Sequence, residues 1–141
     1  MDEKHKLINQ KFFFRNLITE RLYLSPLDKK YLSEFHSFAT NKKLYEHLEF
    51  EPFKYKYQSR NYINKLLKRS KDGNNFYYFI FLKSRKELIG TFVLRHYDYY
   101  KNSLKIGYGI NPKHWGKGYF TEIGISVIEE LKKINIKRVE A

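Results

Sequence analysis

Apolar residues along this chain change their period twice, and each change marks a change of element. In "RNLITERLYLSPL" apolar and polar residues alternate through Leu17, Ile18, Leu22 and Leu24, which reads as a first strand with a turn in it. Pro26 and Asp28 punctuate it, and Asp28 is a helix N-cap candidate, since its carboxylate can accept from a first-turn N–H. From Leu27, Tyr31, Phe35 and Phe38 fall at helical spacing and predict a helix ending near Asn41. "KKLYEHLEF" predicts a shorter helix or turn before Pro52. In "QSRNYINKLLKRSKDG", Tyr62, Ile63, Leu66 and Leu67 share one helical face and Gly73 stops the helix. The period then drops to two. "NFYYFIFLK", "ELIGTFVLRHY" and "SLKIGYGI" are β-branched and aromatic, and the short links "KSRKE" and "DYYKNS" predict an antiparallel meander. A last helix carries Phe120, Ile123, Val127, Leu131 and Ile134 on one stripe, and "NIKRVEA" closes as another strand. The order β-α-α-β-β-β-α-β predicts a single α/β (α+β) domain over residues 1–141, with a mixed, largely antiparallel sheet flanked by helices.

The third meander strand departs from the plain pattern. Leu104, Ile106, Tyr108 and Ile110 share one face and leave Lys105, Gly107 and Gly109 on the other. Glycine weakens a strand and marks a bulge or a close approach by backbone or ligand. These glycines lead directly into "INPKHWGKGYFTEIG", a proline-punctuated loop with Gly116 and Gly118 just where the last helix begins. Where a strand passes through such a loop into a helix, unpaired N–H groups converge and the helix dipole adds to them. That is a backbone site for phosphate, with Lys113 and Lys117 as further charge. A Walker A loop is excluded, because Asn111 stands where its first glycine belongs and no Ser or Thr follows Lys117. Thr121, three residues after Gly118, excludes the dinucleotide fingerprint.

Composition and charge add limits more than identity. With 141 residues, 42% hydrophobic and 18% aromatic, the chain can bury one proper core despite a formal net charge of +13. No apolar run approaches the ~20 residues that span a bilayer, so no membrane role is expected. The start lacks a secretory pattern, and zero cysteines exclude disulfides, thiolate metal sites and a cysteine nucleophile. A cytoplasmic setting fits. The 28 Lys and Arg against 15 Asp and Glu would attract polyanions, but no run of five like charges and no aromatic-basic signature singles out a nucleic acid. No metal site is expected.

"GYGINPKHWGKGYFTE" resembles the acetyl-CoA loop of the GNAT superfamily of N-acetyltransferases, most closely its Rim-type branch of ribosomal-protein N-acetyltransferases. "LITERLYLSPL" resembles that branch's opening strand and "ELIGTFVLRHY" its central hairpin strand, so the resemblance covers nearly the whole chain. It implies that the main chain of Tyr108, Gly109 and Ile110 lines the pantetheine arm. The amides of Gly116, Lys117, Gly118, Tyr119 and Phe120 then hold the pyrophosphate, behind Trp115, where the superfamily commonly has Arg or Gln. Phe120 replaces the usual Gly or Ala, and its place on the apolar stripe predicts that it turns into the core.

The implied reaction is direct attack of an amine on the thioester of acetyl-CoA, with the N-terminus of a ribosomal or other protein, or a small molecule, as acceptor. No base is assigned. Lys105 stands where Rim-type relatives carry an acid, and Glu46 and Glu49 are weak candidates in the segment expected to line the acceptor cleft. His47 and His114 are weaker, because a histidine beside an aromatic in a loop is more often packing than catalysis. Relatives continue past "IKRVEA" with a helix and a strand pair that are absent here, so a trimmed, a naturally short or a partner-completed chain all fit. A homodimer sharing strands at an unpaired edge is one such arrangement. The alternatives to an active enzyme are a non-catalytic CoA-binding module and a ribosome- or RNA-associated protein.

Overall fold

The computed structural model describes residue 13, residues 15–45 and residues 52–141. Strands β1 (Leu17–Ile18) and β2 (Leu22–Pro26) form the opening hairpin, followed by helices α1 (Leu32–Ala39) and α2 (Lys56–Ser70). The meander is β3 (Phe76–Leu82), β4 (Leu88–Asp98) and β5 (Ser103–Ile110), and α3 (Tyr119–Lys133) leads to β6 (Arg138–Glu140). The strands lie in sequence order in one sheet. Neighbours are antiparallel except β5 and β6, whose connection through α3 makes them parallel. This is the mixed, largely antiparallel sheet that the period changes predict.

β3 explains the layering. Its sequence FYYFIFL is a nearly continuous apolar run, as expected of a strand covered on both faces. Tyr78, Ile80 and Leu82 join a core cluster with Ile123, Val127 and Leu131 of α3, while Phe79 and Phe81 point the other way, to Phe35, Phe38 and Ile63 of α1 and α2. One helix therefore covers one face and two cover the other. His36 Nδ1 and Ser59 Oγ, 2.7 Å apart, link those two helices.

Element boundaries differ from the sequence pattern where local hydrogen bonds compete with the α-helix. The helix expected from Leu27 to Asn41 opens as a tight 3₁₀ turn, Lys29–Tyr31, because the Asp28 carboxylate accepts from the Lys30 N–H at 2.9 Å. It ends at Ala39, where Thr40 turns its hydroxyl onto the Ser37 carbonyl. Lys42–Tyr45 form a second 3₁₀ turn, whereas Glu46, His47 and Glu49 lie outside the described residues.

The strand glycines divide their tasks. Bulges fall at Ile80/Phe81 and Arg95/Asp98, away from Gly107 and Gly109. The close backbone approach belongs to Gly90, where a Cβ would stand 2.3 Å from the Gly109 carbonyl oxygen. Gly107 instead leaves room for a side chain, the Arg95 guanidinium, whose nitrogen lies 2.6 Å from a Cβ built there. Gly90→Ala should therefore push β4 and β5 apart and cost about 1–3 kcal/mol in urea unfolding. Gly124→Ala, in α3 with nothing within 4 Å of its Cβ, should stabilise by about 0.4–1 kcal/mol. Equal effects of the two would contradict this packing.

Candidate functional site

The loop after β5 is built by short-range hydrogen bonds. Asn111 donates its N–H to the Ile89 carbonyl at 2.8 Å, and its side chain accepts from the Lys113 N–H at 3.2 Å. Pro112 presets the 3₁₀ turn Pro112–His114 that follows. The Trp115 indole donates back to the Ile110 carbonyl at 2.8 Å, which folds the loop over the strand end. Gly116 (φ 76°) and Gly118 (φ 77°) then adopt the left-handed conformation that favours glycine. Gly118 is the N-cap of α3 and supplies no side chain to the first-turn amides. Among the described residues the N–H groups of Gly116, Lys117 and Gly118 have no acceptor, and they sit at the positive end of a fifteen-residue helix.

Facing them is an open strand edge. β6 pairs with β5 at Ser103, Leu104 and Lys105, and among the described residues Ile106–Ile110 have a sheet neighbour on the β4 side alone. Between edge and loop runs a cleft of about 720 Å³. It brings together Tyr108, Gly109, Ile110, Trp115, Gly116, Gly118, Tyr119 and Phe120. Lys117, between the two glycines, is exposed and does not line the cleft, and Lys113 is committed to Glu87 at 2.8 Å. Phe120 corrects the sequence pattern: it is 37% exposed and stacks on Tyr108, ring centroids 3.6 Å apart, instead of entering the core. The core stripe of α3 begins one turn later, at Ile123, because Phe120 lies in the turn beside the strand edge.

His114 also lines this cleft. It is buried, neither ring nitrogen has a hydrogen-bond partner, and Glu87 Oε1 stands 3.8 Å from Nε2. Burial, helped by the Lys113 and Lys117 charges, holds its pKa below the ordinary value against the opposing pull of Glu87. It is therefore a neutral imidazole at pH 7.

A carboxylate fixes the start of α3. Glu122 accepts from the Thr19 hydroxyl, from the Arg21 N–H at 2.9 Å and from Arg21 Nε at 2.7 Å, so the first helical turn is tied to the β1–β2 turn. The Arg21 guanidinium also lies 4.5 Å from the centre of the Tyr119 ring. No local pattern in the sequence marks Glu122 for this role. Its partners lie about a hundred residues away, beyond any local signal.

On the opposite side of β5 a second groove, of about 180 Å³, runs beneath α1 and α2. Tyr108 and Gly109 line both cavities, so the two meet at that strand position. Thr91 and Arg95 of β4 and the hydroxyl-bearing Tyr62 and Tyr77 complete it. Sequence reasoning missed these residues. The register pairs Thr91 with Gly109 and Val93 with Gly107, and period two then sets Arg95 on the glycine face.

The family model for the acetyltransferase (GNAT) domain matches residues 21–141. The chain belongs to the GNAT acetyltransferase family. An uncharacterized N-acetyltransferase, p20 of Bacillus licheniformis, is 27% identical over 126 residues, 89% of this chain and 71% of that protein. An acetyltransferase structure from Salmonella typhimurium, described as modifying the N-terminal serine of a 50S ribosomal subunit protein, superposes with a TM-score of 0.71 at 14% identity, over 86% of this chain and 70% of that one. A spermidine N-acetyltransferase from Vibrio cholerae, solved with CoA and spermine, gives 0.62 at 22% identity over 84% and 69%. The expected family and fold are thus borne out, and the chain is an acetyltransferase-type enzyme domain. No helix among the described residues is long and apolar enough to cross a membrane.

The Glu122 clamp has a pH signature. Burial raises its pKa, but the Thr19 and Arg21 hydrogen bonds outweigh that and hold the carboxyl below the ordinary range. A lowered carboxylate pKa stabilises the fold above its unfolded value and loses that contribution as pH falls through the folded one. Glu122→Gln should lower Tm at pH 7, and the gap to the parent chain should shrink as pH falls toward 3. A gap that stays constant with pH would refute the charged clamp.

Proposed function

We propose that the chain transfers an acetyl group from acetyl-CoA to an amine, with the pyrophosphate on the amides of Gly116, Lys117, Gly118, Tyr119 and Phe120. The pantetheine arm lies along Tyr108, Gly109 and Ile110, beside Trp115. The observation that carries this reading is the three partnerless amides, two of them on left-handed glycines, at the start of α3 and opposite an open strand edge. In an acetyltransferase family that arrangement suits a ligand with a pyrophosphate at one end and an amide-bearing chain, able to pair with a strand, at the other.

The reaction site is then the crossing of cleft and groove at Tyr108 and Gly109. The amine nitrogen reaches the thioester carbonyl carbon from the groove, the C–N bond forms, the C–S bond breaks, and the thiolate takes up a proton as CoA leaves. The acceptor is a protein N-terminal or small-molecule amine. Glu46 and Glu49 stay candidates for assisting deprotonation. We place the enzyme in the cytoplasm as one domain over residues 1–141.

Gly118→Val forces a β-branched residue into φ 77° and brings a side chain into the cradle, where Arg21 already stands 3.6 Å from a Cβ. Calorimetric affinity for acetyl-CoA should fall at least about tenfold, an effect of about 1.4 kcal/mol. Lys117→Ala should change it less than about threefold, since its amide remains. A Gly118→Val variant that is folded by circular dichroism and binds like the parent would defeat the cradle.

A further inference from the structure

We propose that the groove selects an acceptor amine that also carries a carboxylate, and that Arg95 is the residue that recognises it. This rests on the acetyl-CoA reading above, which makes the groove the acceptor's approach.

Arg95 is set into the groove by the backbone opposite it. Its guanidinium nitrogen and carbon lie 2.6 and 3.1 Å from where a Cβ of residue 107 would be, so a side chain there would displace the guanidinium from its place across β5. Arg95 lines the groove a short way along β5 from the junction at Gly109. Other cations near the sheet ends are already spoken for: Arg21 by Glu122 and Lys113 by Glu87. Among the described residues Arg95 has no carboxylate partner, and no Asp or Glu lines either the groove or the cleft.

The groove's electrostatics agree. Burial and the neighbouring Tyr77 raise the pKa of Tyr62, while the charges that act on it in the other direction are those of Arg69 and Arg95. The groove wall thus faces two cations and no described acid. A polyamine would bring a second ammonium into this field with no acid among the described residues to meet it. A carboxylate a few bonds from the reacting amine would meet a planar donor fork able to bind it with two parallel hydrogen bonds, which fixes the amine's position as well as its charge. The tyrosine hydroxyls can take the acceptor's remaining polar groups. The overall step balances as an ammonium plus acetyl thioester giving an acetamide, free thiol and one proton.

The test is thiol release by the full chain with acetyl-CoA and a panel of amines: peptides with a free N-terminus followed by Asp or by Lys, a free α-amino acid, and spermine. The Asp peptide, the free amino acid or both should show kcat/KM at least about tenfold above the Lys peptide and spermine. Which of them reacts locates the carboxylate on a side chain or on the α-carbon. Arg95→Ala should erase the preference through KM with kcat little changed, Arg95→Glu should invert it, and Arg95→Lys should keep a weakened form. Acetyl-CoA affinity should be unaltered in all three. Spermine or the Lys peptide reacting as well as the Asp peptide, a preference indifferent to Arg95→Glu, or no turnover of any carboxylate-bearing amine by a chain that binds acetyl-CoA would overturn the proposal. Failure of acetyl-CoA to bind would instead remove the functional reading. Calorimetric binding of the acidic peptide, lost in Arg95→Glu, would then still support the Arg95 site, and its absence would end it.

Discussion

The carboxylate of Glu122 determines where α3 starts, and the cleft follows from that start. Three donors from the β1–β2 turn converge on this one side chain, which places the first helical turn against the opening hairpin and beside the end of β5. The buried stripe Ile123, Val127 and Leu131 settles how the rest of the helix lies on the sheet. Non-directional packing could not set the rotation and rise of the first turn so closely. With the turn fixed, the loop must span a short gap from Ile110 to Tyr119, and two left-handed glycines are the conformational cost of spanning it. Among the described residues their amides are left without an acceptor, in glycines that line the same cleft as Tyr108–Ile110.

The second constraint is the pairing of β5. β6 meets it at Ser103–Lys105, and among the described residues the stretch from Gly107 to Ile110 is paired by β4 alone. A strand with a free edge and glycines along it can serve two ligands: one by its backbone, one across its face. The cleft under α3 and the groove under α1 and α2 meet at Tyr108 and Gly109 for this reason. That meeting is what an acyl transfer between a large anionic donor and a separate amine requires, since both must reach one carbon from different directions.

Much of this was legible in the sequence. The change from period 3.6 to period two located the helices and the meander, because burial on one stripe or one face leaves a local signature. The loop was legible too: glycine at two places just before an apolar stripe has few explanations, and Gly116 and Gly118 indeed have positive φ. What was not legible depends on contacts between distant segments. Phe120 fits the apolar stripe of α3 by spacing, yet it stacks on Tyr108 because the helix begins at the sheet's open edge. Lys113 looked available to a phosphate, but Glu87 from the β3–β4 turn holds it. Arg95 became visible only when the register put Gly107 beside it. Lys29–Tyr31 failed as α-helix because Asp28 offered the backbone a nearer acceptor.

Main-chain amides, arranged by glycine and a helix start, are the anion seat that we propose for this acetyltransferase domain. Nitrogen–proton correlation spectra of the labelled chain during titration with CoA report on those amides directly. The largest, saturable shifts should fall on Gly116, Lys117, Gly118, Tyr119 and Phe120, with a second group at Tyr108–Ile110. Saturable binding whose shifts lie elsewhere and leave Gly116 and Gly118 unmoved would contradict it.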